Sequence, residues 1–307
     1  MNKPKVNIVL ATYNGEKHIE KQLDSILSQT YPNIALWIRD DGSTDRTVAI
    51  LQAYVRAHPE AEIHLMEQDG RNLRCPASFY EILRHCDPAD YYAFSDQDDI
   101  WYAEKIERAV QALQKEEDRQ MLLYYSACDY KTEDGTRIRT SAKQKENLKI
   151  WNVLYYTPGS GFTIVFNEKT RKELILEVEP GPEYHDRWLI RGVTCFGKVI
   201  YDPRSSAAHI RHEEAVTAGD ADNKSLFRNF VQAELLGPDA PREKRALQYF
   251  AEQFTDRLSR QQQRTLLLFT KKNTPLVWVK KVCYPHRLRA RGFGEVALRL
   301  LFLLGRI

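Results

Sequence analysis

Short apolar runs alternate along residues 1–127 with segments whose apolar residues recur every three or four positions. Val6–Leu10 is typical of a buried strand, and Ile19, Leu23, Ile26 and Leu27 after it have helical spacing. Because strands and helices alternate in this way, the pattern predicts an α/β fold with a mainly parallel, doubly wound sheet flanked by helices. The further predicted strands are residues 35–38, 62–66, 91–94 and 121–127, and the further helices lie around 48–55 and at 78–85 and 104–115.

The second half of the chain has a different pattern. From about residue 128 the alternation loosens, and beyond residue 225 apolar residues at helical spacing predict a helical C-terminal extension. We therefore expect an α/β domain at residues 1–215, divisible at residue 127, and a helical, basic extension at 216–307. Ser43 or Thr44 is the predicted N-cap of the helix around 48–55, since hydroxyl side chains accept hydrogen bonds from the first N–H groups of a helix.

Composition narrows the class of protein. With 28% charged and 43% hydrophobic residues, the 307-residue chain is typical of a soluble globular protein, and its net charge of +3 is too small to indicate a nucleic-acid partner. Five scattered cysteines without a C-x-x-C pair favour a reducing compartment over a disulfide scaffold or a cysteine-rich zinc site. Since neither a signal peptide nor an apolar run of about 18 residues is present, we expect a cytoplasmic protein.

Polar clusters follow three of the predicted strands. Tyr13 and Asn14 follow the first strand, Asp40 and Asp41 follow the second, and residues 96–99, Asp-Gln-Asp-Asp, follow the fourth. In doubly wound sheets ligands bind at the carboxyl ends of the strands. We therefore expect the three clusters to meet at one edge of the sheet and to form a binding site.

The carboxylates of Asp96, Asp98 and Asp99 would repel one another strongly without a positive charge among them. A hard divalent cation, Mg²⁺ or Mn²⁺, suits such oxygen ligands and would keep positions open for a diphosphate. The alternative is a solvated acidic turn that caps the next helix. For residues 40–43 the corresponding alternative is an Asx-type turn with an N-cap.

Four segments together resemble family 2 glycosyltransferases, which have the GT-A fold. They are residues 6–16, 25–32, 40–45 (Asp-Asp-Gly-Ser-Thr-Asp) and 94–101 (Phe-Ser-Asp-Gln-Asp-Asp-Ile-Trp), and the resemblance extends over roughly the first 215 residues. It implies a nucleotide-binding half at 1–127 and an acceptor half at 128–215. Residues 95–101 further resemble the bacterial rhamnosyltransferase-like branch, which builds cell-surface polysaccharide.

The resemblance implies contacts for the sugar donor and for a metal ion. Tyr13 would contact the base of the donor, Asp41 would accept its N3–H, and Asp96 would face the ribose. Asp98 would ligate Mn²⁺ or Mg²⁺ beneath the diphosphate, and Asp99 would support Asp98 or cap the next helix. The nucleotide pocket would also be lined by Thr12 and Glu16.

Residues 184–188, Tyr-His-Asp-Arg-Trp, match the family segment that supplies the general base. In an inverting transfer the attacking hydroxyl loses its proton as its bond to the anomeric carbon forms, so a carboxylate is needed opposite the leaving diphosphate. Asp186 is the expected base. The alternatives are an Asp186 paired at the surface with Arg187 or Arg191, and Glu183 as the base.

Residues 208–212, Ala-His-Ile-Arg-His, resemble the segment that closes over the donor. His212 would contact the metal or the diphosphate, with His209 as its rival, and Arg211 would bind phosphate. Ala208 departs from the family, which has an aromatic residue at this position.

Residues 159–161, Gly-Ser-Gly, match the small-residue loop beneath the transferred sugar, with Gly161 against the donor; a plain turn is the alternative. A second departure from the family is Arg74, which stands where glycine is usual. It leaves Arg71 and Asn72 as doubtful contacts of the base.

Residues 271–307 carry nine Lys or Arg against one acidic residue, Glu295, and from residue 276 the basic groups are interleaved with apolar ones. Such a segment, too short to span a bilayer, can lie in the headgroup plane of an anionic leaflet. We expect peripheral attachment at the inner face of the cell membrane. A helical pair packed on the catalytic domain, or a homodimer contact, is the alternative.

These features lead us to expect an inverting, metal-dependent glycosyltransferase. Its donor would be a nucleoside-diphosphate sugar of the dTDP-rhamnose or UDP-hexose kind, and its acceptor a cell-surface polysaccharide or lipid-linked glycan. The alternative is a non-catalytic nucleotide-sugar-binding or assembly partner of a glycan-synthesis complex. A dinucleotide-dependent dehydrogenase is excluded because no G-x-G-x-x-G follows the first strand.

Overall fold

The computed structural model describes residues 3–67, 70–117, 119–181, 183–211, 239–290 and 292–307, together with the single residues 232, 235 and 237. The strands are β1 Val6–Thr12, β2 Ile34–Asp40, β3 Ile63–Leu65, β4 Tyr91–Ser95, β5 Asp99–Trp101, β6 Leu122–Thr132, β7 Arg137–Thr140, β8 Val165–Asn167 and β9 Lys198–Arg211. The α-helices are α1 Ile19–Leu27, α2 Thr47–Ala57, α3 Ala77–His85, α4 Lys105–Leu113, α5 Glu168–Arg171, α6 His185–Phe196, α7 Asp239–Gln253, α8 Arg260–Thr270, α9 Pro275–Val282 and α10 Gly292–Leu303.

One sheet runs through the molecule in the order β3-β2-β1-β4-β8-β6-β9-β5, with β7 paired to β6. The strands β3, β2, β1 and β4 are parallel, β8 is antiparallel to both of its neighbours, and β9 is parallel to β6. The predicted α/β fold with a mainly parallel sheet is confirmed, and each antiparallel pair includes β7, β8 or β9 from the second half. In register, Thr12 pairs with Asp40 and Leu10 with Ser95, so the ends of β1, β2 and β4 meet at one edge.

Successive side chains along the strands point alternately into two hydrophobic cores, one on each face of the sheet. In β1, Val9 belongs to the core that contains residues of α3 and α6, whereas Ile8 and Leu10 belong to the core that contains residues of α1 and α4. This arrangement follows from the two-residue period of a strand. All three side chains are completely buried, so β1 is held rigidly between the helices.

The C-terminal helices share the first of these cores. The ring of Trp188 on α6 packs edge-on against Phe250 of α7 at 5.5 Å, and its Nε1 donates to the carbonyl of Leu174 at 2.8 Å. The predicted helical extension is thus confirmed, and it packs directly on α6. The predicted boundary at residue 215 lies outside the described residues. Within the part of the chain that is described, no helix has both the length and the apolar character needed to cross a bilayer.

Two local predictions were wrong. The helix after β2 begins at Thr47 rather than next to Ser43 or Thr44, because the Ser43 hydroxyl donates to Asp40 and accepts from the N–H of Asn14. The N–H of Thr47 is instead satisfied by the carboxylate of Asp45.

The possible helix cap at Asp99 is also wrong. Asp99 begins the short strand β5, which pairs antiparallel with β9, and α4 starts only at Lys105.

The contact between α6 and α7 predicts that the extension contributes to the stability of the whole chain. Replacing the fully buried Phe250 by Ala should lower the free energy of unfolding by about 3–5 kcal/mol, measured by denaturant unfolding, because it leaves a cavity beside Trp188. Leu276→Ala, at a side chain that is 64% exposed, is the control and should change it by less than about 0.5 kcal/mol. A separate early transition for the extension, with the main transition unchanged in Phe250→Ala, would contradict the shared core.

Candidate active site

A cavity of about 520 Å³ opens where β1, β2 and β4 end. We call it the strand-end cavity. The predicted clusters after the three strands therefore do meet at one edge of the sheet. Its lining residues are Ala11, Thr12, Tyr13, Asp41, Asn72, Arg74, Cys75, Ser78, Phe79, Asp96, Gln97 and Asp98.

The carboxylate of Asp40 is engaged in hydrogen bonds within the protein. Its Oδ1 accepts from the N–H groups of Gly42 and Ser43, and its Oδ2 accepts from the hydroxyls of Thr12 and Ser43. For Asp40 the predicted alternative of an Asx-type turn is what the structure shows. The turn fixes the loop that carries Asp41.

Asp41 is buried beside the cavity and is held by three donors. The guanidinium of Arg39 and the N–H of Leu73 donate to Oδ1, the latter at 2.8 Å, and the N–H of Arg74 donates to Oδ2 at 2.6 Å. Arg74 adopts a left-handed conformation with φ of 60°, which explains why glycine suits this position. Asn72 and Arg74 both line the cavity, whereas the guanidinium of Arg71 pairs with Glu81.

The amide of Gln97 ties β4 to the end of β1. It accepts from the N–H of Tyr13 at 2.8 Å and donates to the carbonyl of Tyr13 at 3.0 Å. A Cβ on Gly15 would lie 2.5 Å from Gln97 Oε1, so glycine is required there. The Tyr13 side chain remains 48% exposed at the rim.

Asp96 and Asp98 differ from the other acidic residues of the site. Within the described residues, neither carboxylate accepts a hydrogen bond or forms an ion pair, although both line the strand-end cavity. Burial raises the pKa of Asp96 well above its usual range, and the charges of Asp99, Asp98 and Asp186 raise it further. The pair can therefore accept a cation or hydrogen-bond donors from a ligand.

Asp99 differs from Asp96 and Asp98 in having a side-chain partner. Its Oδ1 lies 2.8 Å from Nδ1 of His209 on the neighbouring strand β9. Burial raises the pKa of Asp99 to about 6 against the effect of His209. Burial also opposes the charge on His209, but the hydrogen bond and charge of Asp99 raise the pKa of the imidazole. His209 thus forms its hydrogen bond with Asp99, and the charges of Asp98 and Asp96 also raise its pKa.

Asp186 lies in the first turn of α6 and keeps its carboxylate free of guanidinium partners in the described chain. Arg187 pairs instead with Glu243 at 3.0 Å, and Arg191 pairs with the buried Glu183. Oδ1 of Asp186 accepts from the N–H of Arg187 at 2.7 Å. The arginines named in the alternative thus have other partners, and Glu183, the rival base, is itself ion-paired with Arg191 through Oε1.

The start of α6 lies next to the strand-end cavity, because Nδ1 of His185 is 3.8 Å from Sγ of Cys75, which lines that cavity. Burial raises the pKa of Asp186, and Arg187 only partly opposes this effect. The charge of Asp186 in turn helps to raise the pKa of Asp96, and that of Cys75, where burial is the main cause, to about 12. Both of these residues line the cavity.

Gly161 and His185 pack against each other beside Asp186. The imidazole of His185 is buried between the rings of Phe79 and Phe94, with centroid distances of 4.4 and 4.3 Å. This burial lowers the pKa of His185 to about 3, so the ring is neutral at pH 7. A Cβ on Gly161 would lie 2.5 Å from Nε2 of His185, which is why no larger residue fits.

Some predicted site residues lie elsewhere. The carboxylate of Glu16 accepts from the backbone N–H of Arg46, at the start of α2, and Glu16 does not line the strand-end cavity. Arg211 is the last residue of β9, opposite Thr132 of β6. The predicted metal contact His212 lies outside the described residues.

Three residues that form or support the strand-end cavity had no role predicted from the sequence. Gln97 lies within the acidic motif at residues 96–99, but the motif does not reveal its partner. That partner is the backbone of Tyr13, 84 positions earlier in the chain. Arg39 directly precedes the two aspartates, and this adjacency is the signal that could have identified it as the partner of Asp41. Cys75 has no sequence signal, because only the fold brings it to the cavity.

The chain belongs to glycosyltransferase family 2, and its fold is the GT-A fold. The family model, described as "Glycosyl transferase family 2", matches residues 7–170. A structure of S. aureus TarS with UDP-GlcNAc aligns over 97% of this chain and 90% of that one, with a TM-score of 0.56 and 15% identity. The mannosyltransferase PcManGT of Pyrobaculum calidifontis, solved with GDP-Man and Mn²⁺, aligns over 100% and 86%, with a TM-score of 0.54 and 16% identity.

Sequence similarity to a characterised relative covers a smaller part of the chain. The dTDP-rhamnosyl transferase RfbG of Shigella flexneri is 40% identical over 106 residues, which are 34% of this chain and 36% of RfbG. The chain thus matches about a third of the length of this relative.

The contact between Gly161 and His185 gives a test of the site's packing. Gly161→Ala should destabilise the protein by about 1–3 kcal/mol, measured by thermal unfolding, because the added methyl group displaces a buried ring. Gly292→Ala is the matched control: its Cβ would meet only Arg287 Nη2, at 3.9 Å, and no stability should be lost. Equal stability of both variants would show that His185 does not occupy this position.

Proposed function

We propose that this protein is an inverting, metal-dependent glycosyltransferase that moves a sugar from a nucleoside-diphosphate donor to a hydroxyl group of a glycan. The observation that carries the proposal is the pair Asp96 and Asp98, which line one cavity without a partner among the described residues. A diphosphate bound together with a divalent cation would supply the positive charge that this pair lacks.

The nucleoside would occupy the strand-end cavity. The exposed ring of Tyr13 gives a base a surface to stack on, and Gln97 fixes the backbone of Tyr13. A carboxylate has about four lone-pair sites. The three donors on Asp41 therefore leave it able to accept the N3–H of a pyrimidine base. Asp96 would accept from the ribose hydroxyls, and Thr12 and Gly161 are the further proposed donor contacts.

The residues present fit Mn²⁺ or Mg²⁺ when the donor is bound. No group of three or more His, Cys, Asp or Glu side chains in the described residues could hold a metal ion alone. Such ions are usually held by one or two carboxylates together with substrate phosphates, so Asp98 is a sufficient protein ligand with the diphosphate. Arg211, at the end of β9, would add a contact to the diphosphate, and His212 is the further proposed contact of the metal or the diphosphate. A bound cation would supply neutralisation of the charge that develops on the leaving diphosphate.

Asp186 would accept the proton of the attacking hydroxyl. Its carboxylate is free of guanidinium partners in the described chain and lies beside the cavity that holds Asp96. Burial favours the protonated form, which makes the carboxylate a better proton acceptor than an exposed one. One displacement at the anomeric carbon then inverts its configuration.

The similarity to RfbG favours dTDP-rhamnose as the donor, with a UDP-hexose as the alternative. We propose a cell-surface polysaccharide or lipid-linked glycan as the acceptor. TarS and PcManGT were solved with UDP-GlcNAc and GDP-Man, so donors with different bases occur on this fold. A panel of nucleotide sugars therefore has to be tested.

Replacing the proposed base separates catalysis from binding. Asp186→Asn should reduce transfer by at least about 100-fold, because general base catalysis is typically worth two to four orders of magnitude. Donor affinity, measured by calorimetry with Mn²⁺, should change less than about twofold, since Asp186 is not a proposed donor contact. Product release from the nucleotide-sugar panel is the activity measurement.

The matched control is Asp256→Asn, which removes an exposed carboxylate on the turn after α7 and should leave turnover unchanged. Turnover of Asp186→Asn near that of the wild type would rule out the assigned base. Donor binding by the wild type without any transfer would instead support a non-catalytic partner of a glycan-synthesis complex.

We also propose that the helices α9 and α10 lie on the anionic inner face of the cell membrane. Exposed apolar side chains recur at helical spacing on both helices, and basic residues surround them. Charge and apolar area together favour the headgroup region of an anionic leaflet. The apolar residues are Leu276, Val279, Phe293, Val296, Leu300, Leu303 and Leu304, and the basic ones include Lys271, Lys272, Lys280, Arg287 and Arg306.

Vesicle sedimentation tests this surface. The protein should bind vesicles of equal parts phosphatidylcholine and phosphatidylglycerol but not phosphatidylcholine alone. Each basic residue near the surface is worth about 1 kcal/mol, so the double variant Lys280→Glu, Arg287→Glu should lose at least about tenfold in affinity. Lys115→Glu, at an exposed residue after α4, is the control. Equal binding to both kinds of vesicle, or a concentration-dependent dimer that covers α10, would contradict membrane attachment.

A further inference from the structure

Arg74 combines an unusual backbone conformation with a position in the wall of the strand-end cavity. Its φ of 60° lies in the left-handed region, which residues other than glycine and asparagine seldom adopt. Among the described residues other than glycine, only Asn14 also has a positive φ, and its Oδ1 accepts from the N–H of Thr44 at 2.8 Å. The side chain of Arg74 gives its backbone no such support, because it forms no hydrogen bond or ion pair in the described chain.

Backbone hydrogen bonds explain why residue 74 is left-handed. The N–H of Arg74 donates to Oδ2 of Asp41 at 2.6 Å, and the N–H of Leu73 donates to Oδ1 at 2.8 Å. A glycine at residue 74 would keep its bond to Asp41 with less strain, since it has no Cβ. The turn therefore accounts for the backbone of Arg74 but not for its side chain, and a strained residue kept at a binding site indicates a role for that side chain.

The other arginines around the site each have an acidic partner. The pairs are Arg39–Asp41, Arg71–Glu81, Arg187–Glu243 and Arg191–Glu183. Arg74 has no such partner, although it is the only basic residue among the described lining residues of a cavity that also contains Asp96 and Asp98. A guanidinium is always charged and carries five N–H donors. That of Arg74 is therefore available to a ligand that brings hydrogen-bond acceptors into the cavity.

The contact between Arg74 and Asp41 indicates which part of a nucleotide this guanidinium would meet. Asp41 is the proposed acceptor of the N3–H of a pyrimidine base, and the backbone of Arg74 is bonded to the same carboxylate. In uracil and thymine N3–H lies between two carbonyl oxygens. O2 lies on the side of the ribose, where Asp96 is proposed to bind, and O4 lies on the other side. Because Arg74 forms no ion pair with Asp96, its guanidinium suits O4.

We propose that the guanidinium of Arg74 donates a hydrogen bond to O4 of uracil or thymine, so that Arg74 and Asp41 together select donors with these bases. This inference rests on the proposed function and adds to it a specificity-determining residue at a position where glycine is usual. The two side chains match a base that has an acceptor at C4 and a donor at N3. Cytosine has the opposite pattern, an amino group at C4 and an unprotonated N3, so it would leave both side chains without a matching group.

Arg74→Gly removes the guanidinium while keeping the backbone N–H that donates to Asp41. Because glycine adopts the left-handed conformation without strain, the melting temperature of this variant should stay the same or rise. The matched control is Arg56→Ala, which removes an exposed arginine side chain from the last turn of α2, away from the lining of the strand-end cavity. Both variants lose one positive charge, so a difference between them in nucleotide binding reports on the cavity.

Calorimetry with the full chain and Mn²⁺ measures the affinities for UDP and dTDP, and displacement of UDP measures that for CDP. The wild type should bind UDP and dTDP at least about tenfold more tightly than CDP. Arg74→Gly should lose at least about tenfold in affinity for UDP and dTDP, the value of a hydrogen bond from a charged donor, but less than about twofold for CDP. Arg56→Ala should change each affinity by less than about twofold.

The outcomes keep this inference separate from the proposed function. Equal binding of UDP by Arg74→Gly and the wild type would overturn the inference. Equal losses for UDP and CDP would also overturn it, because they would assign the guanidinium to the diphosphate that both nucleotides share. A lower melting temperature of Arg74→Gly would assign the side chain a structural role and count against the inference as well. Failure of the wild type to bind any of the three nucleotides counts against the proposed function instead.

Discussion

The structure depends on how its carboxylates are divided between partners inside the protein and the strand-end cavity. Parallel strands that end at one edge bring Asp40, Asp41 and residues 96–99 close together, where like charges repel. The carboxylate of Asp40 accepts from backbone N–H groups, Asp41 pairs with Arg39, and Asp99 pairs with His209. Only Asp96 and Asp98 are left without partners in the described chain. A ligand that brings a cation would relieve their repulsion, and this would link the fold to the proposed chemistry.

The helix α6 connects this edge of the sheet with the C-terminal extension. Its first turn carries Asp186, and Trp188, two residues further, packs against Phe250 of the extension. Arg187, between them, pairs with Glu243. The extension therefore fixes the helix that carries the proposed base, and the face of α9 and α10 proposed to contact the membrane belongs to the same packed unit. A lipid-linked acceptor would then meet the base on the side where the extension lies.

The elements around the site could be predicted from the sequence because their signals are local. The spacing of apolar residues along the chain predicted β1, β2, β4 and α1. The parallel arrangement of these strands then predicted that the acidic clusters lie at one edge of the sheet. What could not be predicted depends on contacts between distant segments. The strand β5 exists only because it pairs with β9, and the freedom of Asp186 is visible only once Glu243 is seen to bind Arg187. The left-handed Arg74 likewise follows from its N–H bond to Asp41.

The central claim is that Asp98 and Asp96 receive a nucleoside diphosphate through a divalent cation. The most direct measurement is the melting temperature of the wild type and of Asp98→Asn with UDP or dTDP, each with and without Mn²⁺. A nucleotide at 100 times its Kd stabilises the folded state by about 2.7 kcal/mol. We predict this stabilisation for the wild type only when Mn²⁺ is present, and its loss in Asp98→Asn. Equal stabilisation without Mn²⁺, or an unchanged response of Asp98→Asn, would contradict the account.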